Sequence, residues 1–163
     1  MPSANMEAAA ALAGRFLLAA LFLHEALAKL TGYAGALAYM QAFGVPGELL
    51  PFAIAAELAG GLLILVGYQT RLAALVLAGF CVATAVLFHT KLGDRNQLLH
   101  FEKDLAIAGG FLVLFARGGG AWALDALRAN HSVVIPGPEP TGPREARPDE
   151  RLREGPVIHN PSL

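Results

Sequence analysis

Gly47-Glu48-Leu49-Leu50-Pro51-Phe52-Ala53-Ile54-Ala55-Ala56-Glu57-Leu58-Ala59-Gly60-Gly61-Leu62-Leu63-Ile64-Leu65-Val66-Gly67 is the stretch on which the fold turns. It is a continuous apolar run, and its length matches the roughly 20 helical residues, at about 1.5 Å each, that cross a bilayer core. A membrane strand would alternate lipid-facing and inward-facing residues, which this run does not. Backbone groups in lipid must be paired within their own segment, so the run is expected to be a helix. Glu57 falls at its middle. A charged side chain there costs about 2.5–3.5 kcal/mol on insertion scales, and the Leu, Ile, Val and Phe residues of the run offset roughly that amount. Such a carboxyl is expected to face the bundle interior and pair there, or to stay protonated.

Working outward, three further runs have the same character, near residues 11–30, 71–90 and 98–117. The reading is an all-α membrane protein, a four-transmembrane-helix antiparallel bundle over residues 1–130. The links between runs support it. Gly67-Tyr68-Gln69-Thr70-Arg71 is a tight turn, and Lys91-Leu92-Gly93-Asp94-Arg95-Asn96-Gln97 is a polar connection. The longer link, residues 31–46, carries Tyr33, Tyr39 and Phe43 and is expected to hold a short interfacial helix. Gly118-Gly119-Gly120 breaks the fourth run, and Trp122 and Asp125 follow on a short amphipathic stretch. From His131 to the end the chain is Pro-rich, and a disordered or extended tail is expected over 131–163.

Composition agrees. Of 163 residues, 55% are hydrophobic, and the 18 glycines bring the apolar share to about two thirds. A soluble domain sits nearer roughly 45–50%. The 12 Lys and Arg against 13 Asp and Glu make no basic field, so no nucleic-acid partner is expected; the surrounding partner is lipid. Cys81 is the one cysteine, which excludes an intrachain disulfide, a CxxC pair and a Cys-based zinc site. Arg15, the run 16–23 and Ala26-Leu27-Ala28 faintly follow a signal peptide. No Lys or Arg precedes Arg15, however, and His24-Glu25 interrupts the approach to any cleavage site, so a retained helix is expected.

The ionisable residues gather at one depth. In an antiparallel bundle the end of the first run, the end of the third and the start of the fourth share a membrane face. That face receives His24, Glu25 and Lys29, then His89, then His100, Glu102, Lys103 and Asp104. Glu25 and Lys29 are four apart and can pair along one stripe, as can His100 and Asp104. Taken singly, these residues suit ordinary roles, with the lysines snorkelling and the histidines reaching headgroups. Together they suit a ligand site. A quinone-like ring needs donors at its oxygens and a group that exchanges protons. His24, His89, His100 and Lys103 can donate, and Glu57 or Glu25 can relay. Lys29 would orient Glu25 or a ligand carboxylate. A metal site is the weaker reading, because no HExxH motif or close His pair is present. An ion pathway to Glu57 has little room among four helices. Gly60, Gly61, Gly79, Gly109 and Gly110 are expected to permit close helix contact.

Two further expectations follow. Glu57-Leu58-Ala59-Gly60-Gly61 and the stretch from Asp104 to Gly109-Gly110 suggest two related helical hairpins. The Arg-containing tail and Arg71, an anchor on the surface opposite the cluster, favour cytoplasmic termini.

In order and spacing these residues resemble the DoxX family. The resemblance rests on Gly14-Arg15, His24 through Gly32, Phe43-Gly44-Val45-Pro46, Glu57 with Gly60-Gly61, and Gly67 through Arg71. It continues through Phe88-His89, Gly109-Gly110 and Trp122-Ala123-Leu124-Asp125. It implies a four-helix protein of the bacterial cytoplasmic (inner) membrane, with Lys29, Glu57, Arg71 and His89 as characteristic positions. Related members include a small subunit of thiosulfate:quinone oxidoreductase, proteins linked to thiol and oxidative-stress systems, and membrane partners in enzyme maturation. The lone Cys81 departs from the thiol-active relatives. The leading expectation is a redox-associated subunit that binds a quinone-like molecule between helices and works with a separate electron-donating protein. A non-catalytic anchor or maturation partner, and a small-molecule carrier, are the alternatives.

Overall fold

A computed structural model describes residues 3–131, and every regular element among them is helical. Helix α1 spans Ala4–Thr31, α2 Tyr33–Ala42, α3 Leu50–Val66, α4 Thr70–Phe88, α5 Arg95–Arg117 and α6 Leu124–His131; a single 3-10 turn, Gly47–Leu49, leads into α3. The expected tail lies, from residue 132, outside the described residues. Three segments have both the length and the hydropathy to cross a membrane, namely Ala4–Thr31, Gly47–Val66 and Thr70–Phe88. The fourth expected span, α5, is 23 residues long and packs along α4, but its first half carries Glu102, Lys103 and Asp104. Its apolar half alone resembles the other spans.

The helix ends differ from the sequence reading by local chemistry. The first helix begins at Ala4 rather than near residue 11, so Arg15 lies inside it. Pro51 in the first turn of α3 needs no backbone donor there. At the other end of α3, Gly67 takes φ 72°, and the Gly67 and Tyr68 amides close back on Leu63 O, a left-handed cap that favours glycine. Asp94 starts α5 by accepting from the Asn96 and Gln97 amides at 2.8 and 3.3 Å.

The dominant pairings are α1 with α3 and α4 with α5, the two hairpins expected, and α3 packs on α4 between them. The fourth side of the bundle is closed by aromatic contact. Phe22 of α1 meets Phe111 of α5 edge-on, with ring centres 5.2 Å apart. Small residues set how near the helices come. A Cβ on Gly60 would stand 2.8 Å from Leu77, and one on Gly61 would stand 3.1 Å from Leu23. Gly79 and Gly109 correct the expectation of close contact. A Cβ there meets nothing within 4 Å, and both positions face outward; Gly110 has only Leu18, at 3.8 Å.

The short helix α2 is more than an interfacial float. Met40, Val45, Leu50 and Ile54 form a second small core, and Tyr39 stacks on Phe88 of α4 at 5.5 Å. This ties α2 over the end of the bundle where the ionisable residues gather.

The opposite end is held by a residue the sequence reading passed over. Arg15 is 1% exposed. Its guanidinium donates to Ile64 O at 3.4 Å, Leu65 O at 3.3 Å and Trp122 O at 2.9 Å. It thus satisfies carbonyls at the C-terminal, electronegative end of α3 and ties them to the segment leading into α6. Asp125 accepts from the Gln69 and Thr70 amides at 2.8 and 2.9 Å, capping α4 from a distant part of the chain. Trp122 contributes its carbonyl while its ring is exposed. Arg71 is exposed at this end, beside Gly118.

Candidate functional site

Glu57 sits two turns into α3, and the i,i+4 stripe of α1 brings Glu25 and Lys29 past it. Lys29 Nζ donates to Glu57 Oε1 at 2.9 Å and to Glu25 Oε2 at 3.1 Å. The three environments are graded. The Glu25 side chain is 50% exposed, that of Lys29 26% and that of Glu57 4%. One cation therefore joins a solvated carboxylate to a buried one across α1 and α3. Glu57 Oε2 is shielded from solvent and has no hydrogen-bond partner among the described residues.

A second polar group faces it from α4, α5 and the link between them. His89 and His100 stack with ring centres 5.1 Å apart and planes 21° from parallel. His89 Nδ1 lies 2.9 Å from Gln97 Oε1, an atom that only accepts, so Nδ1 is the donor in this contact. Lys103 Nζ makes a long contact, 3.5 Å, with His100 Nδ1. Deeper in the bundle, the Thr84 hydroxyl shares its one proton between Cys81 O at 2.9 Å and Asp104 Oδ2 at 3.1 Å. Among the described residues, no three His, Cys, Asp or Glu side chains are grouped to hold a metal ion.

Both groups line one open cleft of about 980 Å³, walled by residues of α1 to α5. Its wall holds Glu25, Lys29, Glu57, His89, His100, Lys103 and Asp104, together with the apolar faces of Phe22, Tyr39, Phe80 and Phe88. Burial, and then the nearby Asp104 charge, raise the Tyr39 hydroxyl above its ordinary value, so it stays a neutral donor at neutral pH. Cys81 is buried on the same wall.

Most of the residues expected from sequence thus meet. His24 and Glu102 are the exceptions: both are exposed and take no part in the wall, His24 because one residue along a helix is a turn of about 100° away from the Glu25–Lys29 stripe. Arg71, Trp122 and Asp125 lie at the other end of the bundle. Gln97, Thr84 and Tyr39 belong to the site and escaped sequence reasoning, since a Gln, a Thr and a Tyr at helix ends carry no signal without their partners. Arg15 did carry one. An arginine within an apolar run needs carbonyls or a counter-charge, and weighing Arg15 only as the flank of a signal-like segment hid this.

Comparison with known proteins agrees with this architecture. The family described as DoxX matches over residues 10–90. The chain is 46% identical over 123 residues to the inner membrane protein YqjF of Escherichia coli (strain K12), covering 76% of this chain and 95% of that protein. It is 31% identical over 121 residues to the inner membrane protein YphA of the same organism, covering 70% and 86%. No solved structure matches the chain.

Proposed function

Since this chain belongs to the DoxX family and is a multi-pass protein of the inner membrane, we propose that it is a redox-associated subunit. In this reading a quinone-like molecule binds in the cavity between the helices, and a separate electron-donating protein works with it. The observation that carries the reading is the cavity itself. About 980 Å³ is room for a substituted ring, aromatic side chains supply its apolar wall, and two groups of exchangeable protons stand on it. A lipid-soluble ring reaches such a site from the bilayer, and its oxygens require polar partners once they leave water. Within the site, Glu57 is the buried carboxyl that holds or releases a proton, Lys29 holds it in place, and Glu25 is the solvated end of the same chain of contacts. His89 and His100 offer imidazole nitrogens at the second group. With cytoplasmic termini, the cavity end faces the periplasm.

The test is mass spectrometry of protein extracted directly into native nanodiscs, comparing wild type with Glu57→Gln and His89→Ala. A ring compound present at one per chain and lost in both folded variants supports the reading. Lipid alone in all three samples refutes tight binding. A second reading, a non-catalytic anchor for another protein, is favoured by the Lys29–Glu57 bridge, which ties α1 to α3 whether or not anything binds. It expects both variants to lose stability before any bound compound.

A further inference from the structure

We propose that the cavity is built for the hydroxyl-bearing, reduced form of its ring ligand, a hydroquinone or phenol, which donates to the Glu57 carboxylate. The inference rests on the ligand reading above and adds which form of the ring the site holds.

The argument starts from hydrogen-bonding capacity. An ionised carboxylate only accepts, with about four lone-pair sites over its two oxygens. Glu57 is 3% exposed, its Oε1 is taken by Lys29 at 2.9 Å, and its Oε2 has no partner among the described residues. Buried acceptors of this kind are the exception in folded proteins and are costly when left unmade. The residue lines the cavity, so a donor arriving there completes it. Oε2 is shielded as the side chain stands, and the soft terminal torsion of a glutamate is what lets the carboxylate turn an oxygen towards an arriving donor.

With Glu57 ionised in its bridge to Lys29, a quinone carbonyl is the wrong group at this point. It brings lone pairs towards lone pairs, and its own oxygen is left without a donor. A ring hydroxyl brings the missing hydrogen. The charge around the cavity favours the same choice. Glu25, Glu57 and Asp104 oppose Lys29 and Lys103, so its ionisable wall carries an excess of acceptors when the histidines are neutral. Two of the three donors of Lys29 are already directed at Glu25 and Glu57. Flanking rings at Phe22, Phe80 and Phe88 then select an aromatic alcohol over an aliphatic one.

The experiment uses the full chain in nanodiscs and three short-chain probes on one fully substituted ring: the hydroquinone, the quinone and the hydroquinone dimethyl ether. Full substitution removes the positions at which Cys81 would add. The expected result is that the hydroquinone binds at least about tenfold tighter than the quinone or the ether, as a charge-assisted hydrogen bond implies. The bound couple then moves to higher potential, by about 30 mV for each tenfold of preference in a two-electron couple. In Glu57→Gln the side-chain amide supplies N–H donors, and the preference shifts towards the quinone. Equal or tighter binding of the quinone or the ether to wild type overturns the inference while leaving a ring-binding site standing. Binding of none of the three overturns both. The wild-type comparison stands alone if Glu57→Gln fails to insert.

Discussion

Replacing Lys29 by Met tests the bridge on which the site depends, and the size of the effect follows from burial. Glu57 is 4% exposed and Lys29 is its one hydrogen-bond partner among the described residues. Removing one member of a fully buried pair costs about 3–5 kcal/mol, because the other charge is left uncompensated. Lys29 keeps 26% of its side-chain surface exposed and is shared with Glu25, so water already screens part of the interaction. The expected loss for Lys29→Met is therefore about 2–3 kcal/mol. Adding Glu57→Gln to that variant removes the stranded charge. The double variant then loses only the hydrogen bond, about 1 kcal/mol, and is more stable than Lys29→Met alone. Glu25→Gln is the control, since a half-exposed i,i+4 pair contributes only about 0.3–0.5 kcal/mol. The assay is reversible unfolding in mixed micelles, read as a double-mutant cycle between positions 29 and 57. If the two single losses simply add, the contact holds no net energy and the reasoning fails.

Three other expectations concern the opposite end of the bundle. Arg15→Lys replaces a fork that reaches three carbonyls by a single point charge, so it should cost about 2 kcal/mol, also visible as faster proteolysis near Trp122; unchanged stability would remove Arg15 from its clamping role. At Asp125, burial opposes ionisation, but the Thr70 and Gln69 amides and the Arg128 charge outweigh it and hold the carboxyl below its ordinary value. A depressed native value contributes stability above the unfolded value, about 3.9, that is lost as pH falls through the native one. The stability gap between wild type and Asp125→Asn should thus be constant near neutrality and close only in acid, and a gap that closes near pH 6 would assign it to another group. Gly67→Ala should cost at least about 1 kcal/mol, because φ is 72° and a Cβ would run into Arg15 and Ala123, whereas Gly109→Ala, with open space and helical backbone, should gain up to about 1 kcal/mol. Thermal unfolding of the two variants side by side checks the contrast.

Unbroken apolar length and the need to pair backbone groups in lipid made the helical membrane fold legible in the chain's residues alone, and the DoxX resemblance was carried by the order and spacing of short motifs. Lys29, His89, His100, Lys103 and Asp104 could also be placed together at one end, since alternating direction in a bundle converts position along the chain into depth. Glu25 with Lys29 was legible from the i,i+4 rule, which is local. Depth, however, is one coordinate, and rotation about each helix is another. Only packing decided that Lys29 turns to Glu57, that His24 turns away, that Gly60 and Gly61 are contact points while Gly109 faces outward, and that Arg15 reaches Trp122 O. In a run made of Ala, Leu and Gly every face is nearly equally apolar, so the pattern that would reveal helix rotation in a soluble protein is missing, and the fit of side chain against side chain supplies it.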